Sequence, residues 1–257
     1  MPRTIGAFVI LLMVGGAANG ICGSPAVRTA SAGMLTISPM KLTFGRESRS
    51  AAVTVRNTGE ENIAGRVTLF EWTQDATGRD DFQETEDIAY FPKVMTLLEG
   101  EERIIRLGFR GDLPVREKAY RLVIGMPSAD GRRAYRPDER PALGDLAVFV
   151  RPSDPQAGGL LEQVALARSA LTVGVRNTGN VHLLVTAIMV RGIAADGHEA
   201  FSREIGGWYV LGGFVRTFRA QIPQEDCRTL SRLDIQVITD SDPLTGTLNI
   251  RKDMCTP

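Results

Sequence analysis

The chain has 257 residues, of which 43% are hydrophobic and 23% charged, and its 30 basic and 30 acidic residues leave a net charge of +0. That length exceeds one ordinary small β domain and suits two. The even charge, with no dense Lys/Arg run, argues against nucleic acid as a partner and leaves a flat protein-binding surface open.

Taken in chain order, the first segment differs from the rest. Arg3 precedes an apolar run, Ile5 to Val14, and then the small residues Gly15 to Gly20. A basic start, a short apolar stretch and a small-residue exit form a secretory signal peptide. Cleavage fits near residue 20 or near residue 32, so residues 1–32 are set apart from the fold. The apolar run is too short to span a bilayer, and no later run of about 20 apolar residues follows, so no direct membrane anchor is expected.

From residue 35 onward strand signals dominate, and no helix-length apolar stripe with caps appears. Leu35 to Thr43 is a first strand broken by Pro39, and Ala51 to Arg56 alternates, with Val53 and Val55 on one face. Arg66 to Thr73 is a third strand, followed by an acidic loop from Asp75 to Asp87. Val94 to Leu98, Arg103 to Phe109, Ala119 to Met126 and Leu146 to Arg151 bring the count to about seven, which describes a β-sandwich. Arg151-Pro152-Ser153-Asp154-Pro155 is a short, stiff linker.

Beyond the linker the pattern restarts. Val55-Arg56-Asn57-Thr58-Gly59 recurs as Val175-Arg176-Asn177-Thr178-Gly179, with the asparagines 120 positions apart, about one immunoglobulin-sized domain. The phrase ends a second strand in each half at an Asn-Thr-Gly turn. Strands are expected at Leu171 to Val175, Leu183 to Val190, Glu199 to Ile205, Trp208 to Leu211, Val215 to Ile222, Leu230 to Thr239 and Thr247 to Lys252.

If Cys22 leaves with the signal peptide, Cys227 and Cys255 remain. They are either a disulfide or two free buried thiols. Their midpoint, residue 241, is the centre of the turn cluster Asp240-Ser241-Asp242-Pro243, so a hairpin about that turn sets Cys227 opposite Cys255.

Catalytic chemistry is thin. His182 and His198 read as surface residues with no trustworthy metal partners, and no Gly-rich phosphate loop opens a helix. Asp80, Asp81, Glu84, Glu86 and Asp87 lack the ligand spacing of a dedicated calcium loop and read as a solvated loop. No enzyme activity, metal or cofactor is expected.

The stretches "LTISPMKLTF" (Leu35 to Phe44), "AAVTVRNTGEENIAGRVTLFEWTQ" (Ala51 to Gln74), "FPKVMTLLEGEERIIRLGFR" (Phe91 to Arg110), "EKAYRLVIGMP" (Glu117 to Pro127), "LAVFVRP" (Leu146 to Pro152) and "GWYVLGG" together resemble PapD-like periplasmic chaperones of the chaperone–usher pathway. The likeness is greatest to those serving sigma-type, spore-coat-U-like fimbriae. The resemblance implies an all-β fold of two immunoglobulin-like sandwiches set as an L, at 33–152 and 153–257. It implies a periplasmic chaperone that caps pilin subunits by donor-strand complementation and hands them to an outer-membrane usher. Self-association through edge strands is a further implied partner. A two-domain periplasmic scaffolding protein without usher delivery is the alternative reading.

Carried over residue by residue, the resemblance makes Lys41 the binder of the subunit's C-terminal carboxylate. A second cleft lysine of many members falls at Ala147. Leu143, Leu146, Val148 and Val150 become the donor edge strand, and Glu117, Arg151 and Asp240 an interdomain ionic network. The approach to the donor strand departs from the family pattern. Pro137 and Pro141 interrupt pairing, and Asp138, Glu139 and Arg140 stand where large apolar residues are expected.

Overall fold

The structure, a computed structural model, describes residues 35–127, 136–138 and 142–255. The expected signal peptide, residues 1–32, lies outside them, as do Glu139, Arg140 and Pro141. No helix among the described residues is long and apolar enough to cross a membrane.

Alternating side chains build the first sandwich. Its strands are β1 (Leu35–Ser38), β2 (Lys41–Phe44), β3 (Ser50–Asn57), β4 (Ile63–Gln74), β5 (Asp80–Glu84), β6 (Ile88–Phe91), β7 (Val94–Leu97), β8 (Glu102–Phe109), β9 (Lys118–Gly125) and β10 (Ala142–Val150). One sheet runs β1-β3-β8-β6 and the other β2-β10-β9-β4-β5, with β7 also on β4. Val53 and Val55 of β3 and Ile105, Leu107 and Phe109 of β8 face inward together, as their period of two requires. They meet Leu69, Leu122, Leu146 and Val148 from the opposite sheet.

The first predicted strand belongs to both sheets. β1 pairs antiparallel with β3, and after Pro39 and Met40 the chain changes sheet so that β2 pairs parallel with β10. Proline has no N–H for the ladder, which places the break there.

The second sandwich contains β11 (Gly159–Ala167), β12 (Ala170–Asn177), β13 (Leu183–Ala194), β14 (Glu199–Gly206), β15 (Tyr209–Val210), β16 (Val215–Gln221), the six-residue helix α1 (Gln224–Thr229), β17 (Leu230–Thr239) and β18 (Leu244–Asn249). A 3-10 turn, Lys252–Cys255, follows. Its sheets run β11-β12-β16 and β14-β13-β17-β18, with β15 also on β13.

β6 was not foreseen in the sequence, and three further elements were hidden for a physical reason. β5 lies inside the expected acidic loop, because its charges mask one buried residue, Phe82, which packs on Trp72 with ring centroids 6.3 Å apart. β11 was missed because a bulge between Leu161 and Gln163 breaks its alternation. α1 is shorter than any period test can detect.

The cysteine arithmetic holds. β17 and β18 pair from Arg232↔Asn249 to Val237↔Leu244, which brings the two ends of the hairpin together. Cys227, on α1, is bonded to Cys255 with a Cα–Cα distance of 5.7 Å.

The repeated phrase also finds its reason. Asn57 and Asn177 are the buried ends of β3 and β12. Asn57 Oδ1 accepts the Gly59 N–H, and its Nδ2 donates to the Glu61, Leu97 and Leu98 carbonyls. Asn177 Oδ1 accepts the Gly179 N–H, and its Nδ2 donates to the Val181 and Val210 carbonyls. Each side chain therefore closes its own turn and ties that turn to a distant segment. Only a short amide carries both the acceptor and the two donors this needs.

Replacing Asn57 or Asn177 by Ala strands buried carbonyls, and each substitution should cost about 1–3 kcal/mol of stability. Urea denaturation should show lowered midpoints for both variants, while Glu60→Ala on the same turn stays within about 0.5 kcal/mol of the parent.

Candidate functional site

The outer face of the β2-β10-β9-β4-β5 sheet carries the candidate site. Ladder register sets Lys41, Ala147, Arg121, Phe70 and Glu84 in one row across its five strands. Paired residues point to the same side of a sheet, so this row faces away from the first core. Part of the face is covered by the second sandwich. Trp72, Phe149 and Leu211 lie in one buried apolar cluster, with Tyr209 and Phe214 packed against it.

Two polar hubs fasten that contact. Asp80 Oδ1 accepts from Trp72 Nε1, Gln74 Nε2 and Arg216 Nη1 at 2.9, 2.9 and 3.0 Å. Its Oδ2 accepts from Trp208 Nε1 at 2.9 Å. Gln74 adds a pair of its own, donating to the Tyr209 carbonyl and accepting the Leu211 N–H. One carboxylate from the supposed solvated loop thus gathers donors from both sandwiches.

The second hub is Glu117. Its Oε1 accepts the His182 N–H at 2.8 Å and lies 2.6 Å from His182 Nδ1. Both side chains are nearly sealed from solvent, at 2% and 1% exposure. His182 stacks on Phe149 with ring centroids 3.8 Å apart. It is therefore a core histidine, against the surface placement expected from the sequence, where its partner 65 positions away could not be seen. Arg151 Nε stands 3.6 Å from Glu117 Oε2, an ion-pair distance longer than a hydrogen bond. Asp240, expected to complete that network, forms no ion pair among the described residues and instead accepts the Leu184 N–H at 2.8 Å. Burial pushes the Tyr209 phenol above its usual range, with the Arg121 charge offsetting part of the rise.

The sheet has one half-open strand. β10 pairs with β9 from Ala142 to Val150 but with β2 only from Ala147 to Val150. Among the described residues, Ala142–Leu146 therefore has an unpaired side. Lys41 begins β2 where the pairing begins, is exposed, and has no ion-pair partner among the described residues.

The side chains expected to be lent point the other way. Leu146, Val148 and Val150 are fully buried in the first core, and Leu143 packs against it. Alternation sends these residues inward and leaves Asp145, Ala147 and Phe149 on the outer face. The bulge between Ala142 and Gly144 turns Leu143 inward as well. In the free protein three of these four side chains lie in the first core and Leu143 packs against it.

Four of the five acidic residues considered for calcium are engaged with cations, N–H or hydroxyl donors. Besides Asp80, Asp87 accepts from Lys118 Nζ and the Tyr120 hydroxyl, Glu86 pairs with Lys93, and Asp81 lies 3.7 Å from Arg136. The Lys118 contact, together with the Tyr120 hydroxyl, holds the Asp87 carboxyl below its usual range. No group of three or more His, Cys, Asp or Glu suited to a metal occurs among the described residues.

Residues 34–154 match the model of the pili and flagellar-assembly chaperone family, PapD N-terminal domain. Comparison with curated proteins finds no match. Among solved structures, the YadV chaperone is similar at 12% identity and TM-score 0.54, over 84% of this chain and 100% of that one. The Salmonella enterica SafA pilin–SafB chaperone complex aligns at 15% identity and TM-score 0.49, over 83% and 96%. The CsuC–CsuE chaperone–tip adhesion subunit complex of Acinetobacter baumannii aligns at 18% identity and TM-score 0.48, over 72% and 89%. At 12% identity the likeness to the YadV chaperone speaks to the fold alone.

Asp80→Ala leaves two indole N–H groups, an amide and a guanidinium without their acceptor. It should cost about 3–5 kcal/mol, as removal of one member of a buried charged pair does. Calorimetry should show the melt dividing into two transitions as the sandwiches uncouple, whereas Asp138→Ala, on the exposed turn, should melt as the parent does.

Proposed function

We propose that this protein, whose first sandwich belongs to the PapD family of pilus-assembly chaperones, is a periplasmic chaperone that binds pilin-like subunits along its open sheet edge. Its domains run 33–152 and 153–257, behind a signal peptide removed on export. The capped subunit passes to an outer-membrane usher.

The observation that carries this reading is the half-covered β10 ending at Lys41. The unpaired N–H and C=O groups of Ala142–Leu146 can hold one more strand by main-chain hydrogen bonds. A strand laid there parallel to β10 is collinear with β2. Its C-terminus then arrives at the first residue of β2, which is Lys41. A flexible ammonium at that point suits a terminal carboxylate. Specificity by inserted side chains cannot come from Leu146, Val148 or Val150, which are committed to the first core. It is left to the stretch preceding β10, where Arg136 and Asp138 stand.

The interface with the second sandwich supports the same reading. Glu117, Arg151 and His182 act as the interdomain network, holding the face that carries Lys41 in one orientation. A preset surface loses less entropy when a strand docks.

Co-purification from periplasm, comparing the mature protein with Lys41→Ala and identifying partners by mass spectrometry, tests the proposal. A small secreted β-rich subunit should accompany the parent, and its recovery should fall about tenfold in the variant, equivalent to one lost charged contact of about 1.4 kcal/mol. Recovery of no such subunit, or of one indifferent to Lys41, contradicts the proposal and leaves the scaffolding alternative.

A further inference from the structure

Resting on the reading of Lys41 as a carboxylate anchor, we propose that Arg121 is the second cation of that site and that Asp145 occupies it in the free protein as an internal carboxylate. An incoming chain end displaces Asp145 when it binds.

The geometry begins with the row Lys41–Ala147–Arg121. Ala147 is in register with Lys41 on one side and Arg121 on the other. With strands about 4.8 Å apart, the two cationic residues stand about 10 Å apart at Cα. The residue between them is an alanine, so no side chain longer than a methyl separates them across β10. Both side chains are long enough for one carboxylate to be shared over that row.

Arg121 is built as an anion site. Its side chain is only 12% exposed and pairs with Asp145, which is 30% exposed. The guanidinium lies 5.3 Å from the Trp72 ring centroid and 5.6 Å from that of Trp208. The aromatic faces hold the planar fork in place. Its Nε is buried without a hydrogen-bond partner, so Asp145 does not exhaust its donors.

Exchange of one carboxylate for another is the step the arrangement permits. A guanidinium stripped of its partner between two indoles is costly, because it leaves a desolvated charge uncompensated. Replacing Asp145 by an arriving carboxylate avoids that cost at every stage. Asp145 belongs to the open half of β10 and is partly exposed, so it can turn to water. The internal acid then competes with weak or mismatched ends, and only a chain that also gains the β10 ladder displaces it. No bond is made or broken in the exchange.

Trp72 and Trp208, the chain's two tryptophans, flank Arg121, so intrinsic fluorescence reports on the site. The full mature protein is titrated with N-acetyl-Thr-Val-Thr-Val-Thr bearing either a free carboxylate or a terminal amide, with calorimetry as a second readout. The acid should be preferred over the amide. Asp145→Asn should tighten the acid about tenfold and leave the amide unchanged, and Arg121→Gln should lose about tenfold of the preference. Equal binding of the acid peptide by the parent and Asp145→Asn overturns the proposal.

Lys41→Ala separates this proposal from the reading beneath it. If that variant loses the acid preference and Arg121→Gln keeps it, the anchor stands and Arg121 has no part in it. If the parent and Asp145→Asn both show no acid preference, the carboxylate site falls with everything built on it. Should Arg121→Gln fail to fold, the Asp145→Asn comparison alone decides.

Discussion

Among the described residues, strand β10 has a neighbour on both sides for only half of its length, and the functional reading depends on that asymmetry. It arises because β2 is four residues long and starts after the chain has changed sheets at Pro39 and Met40. Had the first strand continued beside β3, Val148 and Val150 would lack their parallel neighbour and the whole edge would be open. Had β2 started five residues earlier, that side of β10 would be covered. The switch therefore fixes both the length of open backbone and the residue, Lys41, that stands at its end. Open edges are an aggregation hazard. On β10 the hazard is limited to Ala142–Leu146, where a bulge and the charged Asp145 discourage indiscriminate pairing.

The interface between the sandwiches turns this edge into a presented surface. Apolar contact supplies most of its favourable free energy, since each large aromatic buried contributes about 2–3 kcal/mol and Trp72 and Phe149 are fully buried. The polar hubs add less net stability, because each donor and acceptor gives up water to join. Their contribution is to direction. Asp80 satisfies four N–H groups and Glu117 spans Arg151 and His182, so a small rotation of one sandwich leaves buried donors unmet. Dispersion and hydrophobic burial hold the sandwiches together, and the hubs select one docking angle.

Much of this was legible in the residues. Val53 with Val55 gave an inward face by period two alone. The two cysteines could be placed across a hairpin because β17 and β18 fold evenly about one turn cluster. The Asn-Thr-Gly phrase marked equivalent turns, although its reason, a buried amide closing a turn and binding another segment, lies in contacts far apart in the chain. What failed did so where long-range partners decide. His182 looked like a surface residue until Glu117 and Phe149 came beside it. Asp80 sat in a charged run whose pattern was indistinguishable from a solvated loop. The facing of Leu143 turned on one bulge, which alternation cannot reveal.

The most direct test of the account is amide hydrogen exchange along β10, measured for the protein alone and bound to a purified subunit. The free protein should exchange fast at the Ala142–Leu146 amides that face away from β9 and slowly throughout Ala147–Val150, and the subunit should slow the first group alone. Uniform protection along the strand in the free protein, or no change in Ala142–Leu146 on binding, would contradict the claim that this edge receives the partner's strand.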